Sequence, residues 1–259
     1  MASTFAVEIK KAPPLRENPA VVIAAASDLI YCLPALHAAF TTTAPRTVLT
    51  VTSGSSGNLC AQISHGAPYD VFLSADLSYP HALIATQHAD AASLTPYALG
   101  RLVLWTTRQD LNLNDPRTVI QHTLVKKFAI ANPAHAPYGR AAQQVLTHLG
   151  LWTTVQPKLV FGENITQTAQ FIQTEHADAG LIALSLVISG PLRAIGRWQE
   201  IPTAFHEPLL QTAVLTARGQ ANPAAVRYLD FLRSPAARTV FEHYGFILPD
   251  APKPDAPKR

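Results

Sequence analysis

The chain has 259 residues, enough for one large domain or two of ordinary size. Hydrophobic residues make up 48%, which supplies a core and excludes global disorder, while charged residues are sparse at 14%. Its 20 basic and 17 acidic residues leave a net charge of +3 with no concentrated basic run, which argues against nucleic acid as a partner.

The first 20 residues, MASTFAVEIKKAPPLRENPA, contain no apolar stretch of the kind that drives secretion. Residues 1–19 read as a flexible N-terminal segment. Residues 20–25 (AVVIAA) form an unbroken apolar run, the pattern of a strand buried on both faces. Leu29, Cys32, Leu33, Leu36 and Phe40 then recur at three- and four-residue steps, which marks an amphipathic helix. A β-branched strand follows at 47–52 (TVLTVT), then Gly-Ser-Ser-Gly and a helix over 58–65. A third strand is expected at 70–74 (DVFLS), with a helix over 77–87. Strands at 101–106, 127–131, 158–161 and 180–184 alternate with helices over 116–124, 140–149 and 166–175. A last strand at 211–216 precedes two helices opened by Asn222-Pro223 and Ser234-Pro235, each a cap residue before a first-turn proline. Gly245 reads as the cap ending the second of them. The tail at 250–259 repeats Asp-Ala-Pro-Lys and reads as disordered.

Strands alternating with helices predict an α/β fold built on mostly parallel sheets. Seven or eight such units exceed one small sheet, so two lobes are expected. The chain is expected to cross between them near 99–100 and to return near 206–211. Lobe I then comprises 20–98 plus 210–249, and lobe II comprises 99–209. The longest apolar stretches, 21–26 and 181–188 (the latter broken only by Ser185), fall short of the ~18 residues a membrane-spanning helix needs. Cys32 and Cys60 are too few for a disulfide scaffold or a four-cysteine zinc site; they read as small buried residues, with a single bridge left open.

Four strand-to-helix junctions carry small or hydroxyl-bearing residues: Ala26-Ser27-Asp28, Ser53-Gly54-Ser55-Ser56-Gly57, Ala136-Pro137-Tyr138-Gly139 and Gly162-Glu163-Asn164-Ile165. Helix N-termini present unsatisfied N–H groups and a positive dipole end, so they favour anions. In open α/β sheets these junctions converge on the ligand crevice. The same residues also serve as ordinary caps and turns, and spacing alone leaves both readings open. The ten histidines show no metal-ligand spacing, and no nucleotide-binding glycine fingerprint occurs. A serine hydrolase built on Ser55 or Ser56 with His135 and an acid such as Asp70 is the alternative from another class.

The segments AAASDL (24–29), SGSSGNLCAQISHGAPYDVFLSAD (53–76), NPAHAPYGRAA (132–142) and GENITQ (162–167), with the ending YGFILP (244–249), resemble the periplasmic molybdate-binding proteins of ABC transporters. The likeness runs over roughly residues 20–249, and its most specific stretch is 66–76. It implies a two-lobed periplasmic-binding-protein fold that closes on molybdate or tungstate and delivers it to a membrane permease, with sulfate as the rival ligand. Such a protein works as a monomer in the periplasm, without catalysis, cofactor or cation site, and its precursor carries a leader that this chain lacks. By resemblance, Ser27 and Ser56 donate through hydroxyl and backbone, Tyr138 through its hydroxyl or backbone, and Ile165 through its backbone N–H alone. A tyrosine donor of some members is replaced here by Ala183. Asp28 is expected to turn its carboxylate away from the anion and to offer only its N–H.

Overall fold

The computed structural model describes residues 20–249. The expectations for 1–19 and 250–259 lie outside the described residues. Ten strands run in chain order: β1 (Ala20–Ala26), β2 (Val48–Gly54), β3 (Val71–Ser74), β4 (Thr95–Gly100), β5 (Leu102–Thr106), β6 (Phe128–Ala131), β7 (Leu159–Gly162), β8 (Ala179–Ala183), β9 (Arg197–Glu200) and β10 (Leu209–Leu215). They form two five-stranded sheets, ordered β2-β1-β3-β10-β4 and β7-β6-β8-β5-β9. In each, the first three strands pair in parallel and the other two pairings are antiparallel. The antiparallel strands are those beside the two points where the chain changes sheets: β4 gives way to β5 across Arg101, and β9 is followed by β10.

The first sheet is covered on both faces, as a parallel core requires. Successive residues of β3 separate accordingly: Val71 and Leu73 enter one apolar cluster and Phe72 another. The cluster with Val71 and Leu73 gathers helix Leu33–Thr43 and the C-terminal helices Pro223–Phe231 and Pro235–His243. There Phe40 meets Tyr228 edge-on at 5.1 Å and Tyr97 stacks on Phe241 at 5.0 Å. The cluster with Phe72 takes Leu59 and Ile63 from helix Ser56–Ser64 and Leu83 from helix Ser78–Ala85. The second sheet has a single large cluster around Trp105, Phe128 and Ile130, which also takes in Ala26 and Ala75 from the first lobe. The two cores therefore touch at the floor of the cleft.

Local chemistry explains where the elements begin. Asn222 Oδ1 accepts from Ala224 N (3.0 Å) and Ser234 Oγ from Ala237 N (3.2 Å), capping the two last helices. Gly245 follows with φ +79, the left-handed conformation glycine adopts freely. The helical run predicted from Leu29 divides into a 3-10 turn, Ser27–Leu29, and a helix that begins at Leu33 with Pro34 in its first turn. The helix expected from Arg140 begins at Pro137 for the same reason. Strands β4 and β9 were not anticipated; both are sheet edges, one carrying Pro96 and the other the half-exposed RWQE. Cys32 and Cys60 are free and buried, so they form no bridge. Among the described residues, no helix is long and apolar enough to cross a membrane.

Candidate oxyanion site

Four helical segments follow β1, β2, β6 and β7 in the chain, and each puts one residue of the site at its first or second position. Ser27 opens the 3-10 turn after β1, and Ser56 opens helix Ser56–Ser64 after β2. Tyr138 is second in helix Pro137–His148, and Ile165 is first in helix Ile165–Gln173. First-turn N–H groups have no partner within their helix, so these positions leave donors free. Local caps fix two of the helix starts: Ser55 Oγ accepts from Asn58 N (3.4 Å) and Asn164 Oδ1 from Gln167 N (3.0 Å).

All four residues line one cavity between the lobes, with a free volume of about 10 Å³, room for little more than one water-sized sphere. That is below the ~300–1,000 Å³ of pockets for drug-sized molecules, so the cavity suits a small ion. Ser27, Ser56, Tyr138 and Ile165 are each no more than 5% exposed. Among the described residues, no lysine, arginine or histidine lines the cavity. Whatever positive potential it holds comes from N–H groups and helix ends.

The glycines after two of these residues differ in purpose. A Cβ on Gly139 would collide with the carbonyl of Ala131, so glycine lets the helix start press against the end of β6. A Cβ on Gly57 would instead lie 2.7 Å from the His135 carbonyl oxygen, across the cleft. Gly57 N donates to that carbonyl at 2.9 Å, one of several bonds joining the lobes.

At the cleft floor the bonds are buried and mostly neutral. Thr166 Oγ1 donates to the Ser27 carbonyl (2.9 Å) and Ser185 Oγ to the Asp28 carbonyl (2.7 Å). The Asp28 side chain is enclosed by the protein rather than turned to solvent. It is 1% exposed and lines the cavity, and its Oδ2 accepts from Tyr138 Oη (3.1 Å) and Gln211 Nε2 (2.7 Å). Gln211 Oε1 accepts in turn from Tyr97 Oη (3.2 Å). Burial pushes the Asp28 carboxyl up to about 6, opposed only in part by the hydrogen bonds it accepts from Tyr138 and Gln211. Desolvation also holds the Tyr97 and Tyr138 phenols well above their usual range.

The rim is charged and more open. Asn58 Nδ2 bonds Glu163 Oε1, Arg140 pairs with Asp76, and Arg140 Nη1 donates to Tyr79 Oη at 3.0 Å. His135 Nδ1 lies 3.1 Å from Ser55 Oγ, with Glu163 Oε2 3.7 Å from its Nε2. Asp70, the acid of the hydrolase alternative, is not near this pair. It accepts from Val22 N (2.8 Å) and bonds Arg218 (3.1 Å), which ties the sheet to a distant loop. Ala183 is buried as the cap of a short helix and does not line the cavity.

Gln211, Ser185 and Thr166 escaped the sequence reading, although two left a trace. Gln211 interrupts the apolar strand LLQTAVL, and Ser185 alone breaks the apolar run at 181–188. A lone polar residue inside such a run has to find a buried partner.

The profile of the bacterial extracellular solute-binding protein family matches residues 21–247. The chain is 40% identical over 195 residues to the molybdate-binding protein ModA of Azotobacter vinelandii, covering 75% of this chain and 77% of that one. It is 37% identical over 227 residues to ModA of Rhodobacter capsulatus, covering 88% of each. Its structure superposes on the periplasmic molybdate-binding protein of Azotobacter vinelandii with a TM-score of 0.82 at 32% identity, covering 88% of this chain and 99% of that one. With two lobes, a small donor-lined cavity between them and these relatives, the chain belongs to the bacterial extracellular solute-binding proteins.

Proposed function

We propose that this protein binds molybdate in the cleft between its lobes and delivers it to the membrane permease of an ABC importer, working as a monomer in the periplasm. Tungstate, with the same charge and similar donor demands, is taken by the same groups. The observation that carries the reading is the meeting of Ser27, Ser56, Tyr138 and Ile165, each from a separate helix start, around one small cavity without a basic side chain. Neutral donors held on helix ends suit an ion that is fully charged and must be released again. Relatives named for molybdate binding supply the ligand. A rigid shell of donors discriminates against sulfate by size, because shorter bonds leave its oxygens out of reach of some donors at ~2.7–3.1 Å.

The Ser55–His135–Glu163 arrangement favours a second reading, a serine hydrolase. Ser55 and His135 sit on opposite lobes, and Ser55 Oγ already caps its own helix, so we take the contact as one of the bonds that close the cleft. A thermal-shift series with molybdate, tungstate, sulfate, phosphate and chloride, followed by calorimetry, tests the function. Saturation at ~100 times the dissociation constant adds about 2.7 kcal/mol of stability, which shifts the midpoint by several degrees. Shifts with molybdate and tungstate alone are expected. A shift with sulfate alone moves the ligand, and silence toward every anion with labelling of Ser55 by a fluorophosphonate moves the class.

A further inference from the structure

We infer that Asp28 serves the bound oxyanion as a neutral carboxylic acid, donating from Oδ1, so that the ligand binds together with one proton taken from solvent. This rests on the molybdate reading above and assigns that site a specificity-determining residue.

The geometry begins with the two oxygens of one side chain. Oδ2 is filled by two donors, Tyr138 Oη and Gln211 Nε2. Oδ1 is buried and has no hydrogen-bond partner among the described residues, although Asp28 lines the cavity. A native structure rarely leaves a buried carboxyl oxygen unpaired, and such an atom calls for a missing partner. With Oδ2 occupied by donors, an acid proton resides on Oδ1, the oxygen left over for the ligand.

The surroundings favour that proton. The titratable groups around Asp28 are Cys32 on its own turn, Tyr97 on β4 and Tyr138 on helix Pro137–His148, all kept neutral by burial. Gln211 from β10 and Ser185 from helix Leu184–Val187 add neutral polar contacts. Among the described residues, no cationic side chain lines the cavity to hold a carboxylate in its charged form. Burial has already raised the group to about 6 in the free protein. A dianion a few ångströms away in a poorly solvated site repels the carboxylate further and draws it to the acid form. An ionised Asp28 would face the anion with charge against charge, whereas the acid form adds one more donor to the shell.

Calorimetry on the full chain, titrated with sodium molybdate in buffers of different protonation enthalpy at pH 7.5, reads the proton directly. Uptake approaching one proton per molybdate is expected, with affinity flat below pH ~6 and falling by up to tenfold per pH unit above it. Asp28→Asn, which keeps a donor without an acid, is expected to bind with no proton uptake and with flat affinity from pH 6 to 9. Binding by the wild type without proton uptake overturns the proposal and leaves the molybdate reading standing; that measurement decides even if the variant fails to fold. Uptake that persists in Asp28→Asn places the proton on the oxyanion and also overturns it. So does tight phosphate binding by the wild type that Asp28→Asn loses, since the carboxylate is then an acceptor. Failure of the wild type to bind molybdate at pH 6 overturns this proposal and the function together.

Discussion

The two sheets share one topology and use it differently at the cleft. Strand orders β2-β1-β3-β10-β4 and β7-β6-β8-β5-β9 superimpose position for position, so β1 and β2 correspond to β6 and β7. Both pairs lead to helix starts that face the same cavity. In the first lobe, Ser27 and Ser56 bring hydroxyls, and Asp28 brings a buried carboxyl. In the second, Ile165 brings a backbone N–H, and the hydroxyl of Tyr138 is directed to Asp28. Repeating the scaffold fixes where donors stand, while the side chain at each position decides which kind of donor it is.

Substitutions on the two sides of the cleft break that comparison, and the glycines that follow Ser56 and Tyr138 give the largest contrast. Gly139→Ala drives a Cβ into the carbonyl of Ala131, a backbone atom of its own lobe. It is expected to lower unfolding stability by on the order of 3 kcal/mol, read by thermal melting. Gly57→Ala meets the backbone of His135 in the other lobe and, in its own lobe, only the movable hydroxyl end of Tyr79, so it is expected to leave the ligand-free melting point within a few degrees and to weaken oxyanion binding more than tenfold. Equal losses of stability in the two variants would contradict the division.

Asp28 gives the next effect. Its carboxyl is raised from 3.8 to about 6 on folding, so folding favours the protonated form. The resulting stability is full below pH ~4 and is lost as pH rises through about 6, a change on the order of 3 kcal/mol for this fully buried group. Asp28→Asn is expected to flatten that dependence and to be the more stable protein at pH 8, measured by urea unfolding without ligand. A wild-type stability that rises between pH 4 and 7 for this group would reverse the sign.

Removing one donor has the smallest effect and sharpens the comparison most. Ser56→Ala takes away a hydroxyl and leaves Ala75 N, which donates to Ser56 Oγ at 3.0 Å, without its acceptor. Loss of roughly 1–3 kcal/mol of molybdate affinity is expected by calorimetry. Ile165→Val keeps the N–H, so affinity is expected to change less than threefold.

The order of the elements, the junctions and the serines could be read from patterns that are local in the chain. Periodicity found most strands of the sheet cores, and cap chemistry located the helix starts to within a few residues. Edge strands β4 and β9 lacked such a signal, because Pro96 and the exposed RWQE do not alternate as buried strands do. The direction of the Asp28 side chain was also hidden. Its partners, Tyr138 and Gln211, lie 110 and 183 residues away, and no local rule connects them. Charge repulsion suggested that the carboxylate would turn outward; desolvation weakens that argument, because a carboxyl raised to about 6 takes up a proton far more readily than a solvated one.

The position of β10 has a consequence for how the chain acquires its structure. The second sheet uses one continuous stretch, from Leu102 to Glu200, whereas the first stays open between β3 and β4 until Leu209–Leu215 is inserted. Leu99 then exchanges both backbone bonds with Ile247, so the end of the described chain closes the edge at which the crossing strand leaves. Contacts that join near neighbours form sooner than those that must close a long loop. The inner half of the molecule is thus free to fold first, and the lobe bearing Ser27, Ser56 and Asp28 becomes complete only when the last strand and helices arrive.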